Sequence, residues 1–190
     1  MLAILPPLPP SWDGFHPFFV HFPLALLVSA PVPIVMGLAL GKHERGLNLA
    51  ALGMLVLGTL AAFLSVSTGE AAEGAARVTG EVSRVMHEHE EAAEFARNAF
   101  VVLTIAFTIL FFLPTVAPKV RRGPRTVAML LYLLLHAVGS VALLNAGHLG
   151  GELVHTHGVR ARLSAPASPN EPPAPAGGHS EPTGGSEDRE

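Results

Sequence analysis

Four stretches of the chain, residues 16–41, 46–69, 98–118 and 126–151, contain no Asp, Glu, Lys or Arg. Each is apolar and at least as long as the roughly 20 helical residues that cross a hydrocarbon core of about 30 Å. In lipid the backbone N–H and C=O groups must be satisfied within the segment, and spans of this length do so as helices. The pattern therefore predicts an all-α, polytopic membrane protein, an antiparallel bundle of four transmembrane helices. Composition agrees: 49% of residues are hydrophobic and 14% charged, against about 25% charged in soluble domains.

The flanks read differently. MLAILPPLPPSWDGF lacks a basic leader region and a small-residue cleavage site, so residues 1–15 are expected to be retained as an extracytoplasmic N-terminal segment. Residues 16–160 form the four-helix domain. Beyond it, 161–190 is rich in Pro, Gly and Ser and too poor in apolar residues to bury a core, which predicts a disordered tail. Between the second and third spans, the Ala and Glu content of 70–97 suggests that both helices extend into water.

Charge sets the expected orientation. The loops GKHERG and APKVRRGPR carry Lys42, Arg45, Lys119, Arg121, Arg122 and Arg125 against one acid, Glu44. The positive-inside rule makes these loops cytoplasmic, so the bundle is N-out and C-out in the cell membrane, multi-pass, with the 70–97 connection outside.

That topology gathers chemistry at one end. His16 and His21 begin the first span; Glu70 and Glu73 end the second; His87, His89 and Glu90 precede the third; His148, Glu152, His155 and His157 end the fourth. Seven of the ten histidines thus meet at the extracytoplasmic face. Interfacial histidines also occur without a ligand, because imidazole is amphipathic. At 3.6 residues per turn His87 shares a face with Glu90, Glu91 and Glu94, and His89 with Ala92, Ala93, Ala96 and Phe100. His87 is expected in solvent and His89 in the bundle. Pro17 suits a first helical position, which would leave His16 extended or capping. The stretch 151–160 reads equally as helix or loop; if helical, His148, Glu152 and His155 share a face.

His136 lies alone in the middle of LLYLLLHAVGSVALL, about 18 Å along the helix from His148. A titratable side chain at that depth is a functional hypothesis by default. Met54 is the nearest possible partner by depth. The expected role is an imidazole bonded to a serine, threonine or carbonyl of a neighbouring helix. Pro23, Pro31 and Pro33 should bend the first span, and Gly53, Gly58, Gly139 and Gly147 provide small faces for close packing.

HPFFVHFPLALL, HEEAAEFA and GHLGGELVHTHGV together resemble bacterial membrane proteins grouped as domain of unknown function 2231, over roughly residues 12–160. The resemblance implies motif histidines at His16, His21, His89 and His157, and an aromatic such as tyrosine where this chain has His155. Relatives joined to Rieske-type or c-type cytochrome domains imply a redox partner of that kind.

Three functions fit these residues. A haem-b-binding electron-transfer component would use axial histidines on facing helices, with His21 or His89 paired with a histidine such as His157, and Glu70, Glu73 or Glu90 orienting them. A non-haem zinc, iron or copper site would use His16, His21, His89 and His157 with a glutamate; His136, His148 and His155 are weaker candidates in either case. A cofactor-free anchoring subunit would pack on a redox or transport partner through its small-residue faces. The chain has no cysteine, which excludes CxxCH haem attachment, iron–sulfur clusters and thiolate zinc carried by this chain alone. No HExxH or nucleophile constellation points to an enzyme, no basic patch interleaved with aromatics points to nucleic acid, and the lipid bilayer is the one partner required. Homo-oligomerisation is open.

Overall fold

The computed structural model describes residues 8–75, 79–117, 119 and 122–159; the expected tail and residues 1–7 of the expected N-terminal segment lie outside the described residues. Helix α1 (Trp12–Leu40) opens as a 3-10 turn over Trp12–Phe15 and continues in three pieces, His16–Phe19, His21–Ser29 and Pro31–Leu40. Helices α2 (Glu44–Ala75), α3 (Glu81–Val116) and α4 (Arg122–His155) follow. No strand occurs among the described residues, and all four helices are long and apolar enough to cross a membrane. At 1.5 Å per residue α3 is about 54 Å long, so it overruns the hydrocarbon core, as the Ala and Glu content of its first turns predicts.

Helix α1 packs on α2, α2 on α3, α3 on α4, and α4 returns more lightly to α1. The centre is filled by Leu27, Ile34, Leu55, Phe100 and Phe107, none of them exposed. Leu57, Val102, Ile109, Leu134 and Val141 point outward. Helices apolar on every side are those of a membrane bundle.

The prolines of α1 explain the buried histidine. Pro31 has no N–H, so the carbonyl of Leu27 has no partner one turn on in its own helix. His136 of α4 fills the gap: its Nε2–H donates to Leu27 O at 2.9 Å. Its Nδ1 is then free to accept from the Tyr132 hydroxyl at 3.2 Å, and the ring lies edge-on to Phe100. One tautomer satisfies both nitrogens of a fully buried imidazole. Bonding to a neighbouring helix's carbonyl is the role its depth suggested, with Tyr132 beside it in place of Met54.

An internal repeat runs through the bundle. The buried positions Pro23, Leu27, Ala30 and Ile34 of α1 recur 73 residues on as Ala96, Phe100, Leu103 and Phe107 of α3. On α2, Asn48, Ala51, Leu55, Gly58, Ala62 and Ser65 recur 81 residues on as Met129, Tyr132, His136, Gly139, Leu143 and Ala146 of α4, and all twelve are buried. Gly58 and Gly139 do the same job in each half: a Cβ would come within 2.6 Å of Leu27 at the first and 2.8 Å of Leu103 at the second. Glu44 and Arg125 are also equivalent positions, and they pair at 3.0 Å at the loop end. The α1–α2 hairpin is thus repeated as α3–α4, both running the same way, with the bundle axis as an approximate twofold. Of the other expected small faces, a Cβ at Gly147 would stand 3.6 Å from Leu24 Cδ2, and one at Gly53 would meet nothing within 4 Å.

Candidate functional site

At the opposite end from Glu44 and Arg125 the four helices spread around a partly open cavity of about 250 Å³. Its walls are mostly apolar, among them Leu24, Val66, Met86, Phe100 and Leu143. Trp12 fixes the start of α1 to α2 through its indole N–H, which donates to Ser67 Oγ at 3.3 Å. His16, one turn on, is not extended or capping as expected: it has helical dihedrals (φ −51°, ψ −49°). The 3-10 turn Trp12–Phe15 carries the chain into helix before Pro17, so His16 already stands on the inner face.

His16 and His89 both line this cavity. His16 Nδ1 lies 2.9 Å from Ser65 O on α2 and 3.2 Å from Thr68 Oγ1. His89 Nδ1 lies 2.8 Å from Ala146 O on α4. A carbonyl oxygen only accepts, so Nδ1 carries the proton in both rings, and Nε2 holds the lone pair. Among the described residues neither Nε2 has a hydrogen-bond partner. The two ring centres are 6.4 Å apart with planes at 83°.

Each ring also lies on a glycine. A Cβ at Gly69 would stand 3.1 Å from His16 Cε1, and one at Gly150 would stand 3.0 Å from His89 Cε1. In both halves the glycine comes one turn after the accepting carbonyl, Ser65 then Gly69 and Ala146 then Gly150. The two histidine clamps are copies of one another under the repeat.

Four acids, Asp13, Glu70, Glu73 and Glu90, border the same cavity, and Glu73 and Glu90 come within hydrogen-bonding reach of each other. Arg97 is the one Lys or Arg among the described residues lining it. Among the described residues no group of three or more His, Cys, Asp or Glu is placed to hold a metal ion.

The other described histidines lie off this cavity. His21 is exposed, its Nδ1–H donating 2.7 Å to Pro17 O of its own helix. The rings that the structure brings together at this cavity are those of His16 and His89, whereas Pro17 O holds the His21 ring at an exposed position. His157 follows the end of α4, its Nε2 buried without a hydrogen bond and 3.8 Å from Glu152 Oε1. Helix α4 continues through His155, so the exposed His148 and His155 share a face with Glu152, and Gly158 (φ 69°) then turns Val159 back to Leu153 O. His87 is in solvent beside Glu90 and Glu91. His136 lies deep in the bundle, away from this end.

Side-chain reading of the sequence missed Ser65, Gly69, Ala146 and Arg97. The signal for the first three was present: small residues four apart, SVSTG and AGHLG, are the pattern that lets another helix or a ring approach a backbone.

A family model described as predicted membrane protein (DUF2231) matches residues 13–162. No curated protein and no solved structure matches the chain.

Proposed function

The chain belongs to the DUF2231 family of predicted membrane proteins, and on that premise we propose that it is a membrane electron carrier in which His16 and His89 are the axial ligands of one haem b. The observation that carries this reading is a pair of imidazoles lining one cavity, each held at Nδ1–H by a carbonyl and with no hydrogen bond at Nε2 among the described residues. Ligand histidines are characteristically oriented in this way, and the hydrogen bond raises their basicity.

The donor set fits haem better than a bare ion. Structural and catalytic zinc sites take three or four protein ligands, and no third donor joins the two rings among the described residues. Two imidazoles would be enough protein donors for a haem iron, whose remaining donors the porphyrin would supply, and His16 and His89, with ring centres 6.4 Å apart, would hold it. The apolar walls exclude water from a macrocycle, and Gly69 and Gly150 leave the rings their space.

Bound haem supplies a one-electron ferric–ferrous couple. The chain holds the two rings still, keeps the surroundings dry and borders the mouth with carboxylates. By the positive-inside rule this end faces outward across the cell membrane, where a Rieske-type or c-type cytochrome domain would exchange the electron.

A non-haem metal reading has one observation in its favour, since Glu70, Glu73 and Glu90 border the same cavity. Pyridine haemochrome analysis with elemental analysis on protein purified from membranes separates the two. The haem reading expects one haem b and one iron per chain. Stoichiometric zinc or copper without haem would establish the other, and neither metal nor haem would leave an anchoring subunit.

A further inference from the structure

The repeat makes the two histidine clamps alike, so a difference between the halves at the cavity wall marks where the ligand itself is asymmetric. Arg97 is such a difference: its equivalent under the 73-residue offset is Leu24, which lines the opposite wall. A cation thus stands at this position on the α3 wall, which also carries Glu90, where the equivalent position of α1 is aliphatic.

Arg97 is held for a partner. Its guanidinium lies over the Phe63 ring, 5.5 Å from the centroid, and the side chain is only 18% exposed. Nη2 donates to Glu94 Oε1 at 3.1 Å and Nε to Asn98 Oδ1 at 3.2 Å. A guanidinium has five N–H donors in a fixed fork, and beyond these two bonds Nη1 has no hydrogen-bond partner among the described residues. Arg97 is eight residues beyond His89, about 12 Å along α3, and its side chain leans back toward the helix N-terminus as helical side chains do.

Resting on the haem reading, we propose that Arg97 is the positioning residue for the anionic edge of the macrocycle, binding a propionate through its open donors. The assignment fixes how the haem is turned about the His16–His89 axis, with its carboxylates toward the α3 wall and its apolar edge toward Leu24. A carboxylate there also gives a nearly buried cation a second counter-charge, in the bidentate geometry that guanidinium favours.

The test is hemin titration of the full chain, stripped of haem and held in lipid nanodiscs. Hemin is compared with its dimethyl ester, which keeps the ring and loses the carboxylate charges. Wild type should bind the ester about tenfold more weakly, as expected for loss of one charge-assisted hydrogen bond. R97Q should bind hemin about tenfold more weakly and make no distinction between acid and ester, while R97K recovers part of the distinction. R97Q should also lower the midpoint potential, because a positive charge near the iron favours the ferrous state. The acid–ester comparison in wild type needs no variant, so it stands even where R97Q fails to fold. Equal affinity of wild type for acid and ester would overturn the anchor and leave the haem reading intact. Wild type that takes up no hemin would overturn both.

Discussion

The imidazoles of His16 and His89 stand edge to face, 6.4 Å between centres and 83° between planes, each fixed at Nδ1 by a carbonyl of the helix that follows it in sequence. Neither clamp needs an acidic residue. The helix backbone supplies the acceptor, and a glycine one turn later clears the space for the ring. Two rings so fixed lose little further freedom on binding, and preorganisation of this kind is where binding sites gain affinity.

Crowding the glycines should loosen the site without unfolding the bundle. An added methyl at Gly69 or Gly150 meets the ring at 3.1 or 3.0 Å, and relieving that contact stretches the Nδ1 bond. Gly69→Ala and Gly150→Ala should each weaken hemin affinity about tenfold, with a stability loss within the roughly 1–3 kcal/mol typical of overpacking. Gly53→Ala, with open space around it, should leave hemin binding unchanged. Full affinity in both clamp variants would show that the rings are not held as described.

His136 and Pro31 form a testable pair. Replacing His136 with Leu leaves a buried carbonyl and a buried hydroxyl unsatisfied, a loss of about 2–4 kcal/mol by the usual cost of orphaned groups. Pro31→Ala restores an N–H to the Leu27 carbonyl. The His136→Leu loss should therefore shrink by about 1 kcal/mol or more in the Pro31→Ala background, read as a coupling energy in a double-mutant cycle of denaturant unfolding. Strict additivity would mean that the proline gap and the histidine are unrelated.

The absence of native cysteine makes the orientation directly measurable. Thr79 and Lys42 are both exposed, at opposite ends of the bundle. Thr79→Cys should react with a membrane-impermeant maleimide on cells whose cell membrane is intact, and Lys42→Cys only after that membrane is permeabilised. The reverse labelling would put the histidine end inside.

The spans, their order and the inward phase of His89 were legible because charge-free length and helical periodicity are properties of side chains read along one helix. The His16–His89 pair was not, for two reasons. Pro17 suggested a helix start, whereas the preceding 3-10 turn carries His16 into the helix, and the acceptors that fix both rings are main-chain atoms of other helices. The repeat was not legible because most equivalent positions share burial and not identity: Leu27 matches Phe100, Ile34 matches Phe107, and Leu55 matches His136. Arg97 sits next to the charge-free run that begins at Asn98 and reads as an ordinary flank. Its place in the cavity wall depends on the approach of α1 and α2.

The central claim is that His16 and His89, and no other histidine, hold the cofactor. Reduced-minus-oxidised visible spectra of the purified protein and of single alanine variants test it most directly. Wild type should show a sharp low-spin α-band, and His21→Ala and His157→Ala should keep it. His16→Ala and His89→Ala should each abolish it while the protein remains folded by circular dichroism. An α-band that survives loss of either His16 or His89, or one that disappears with His21 or His157, would contradict the account.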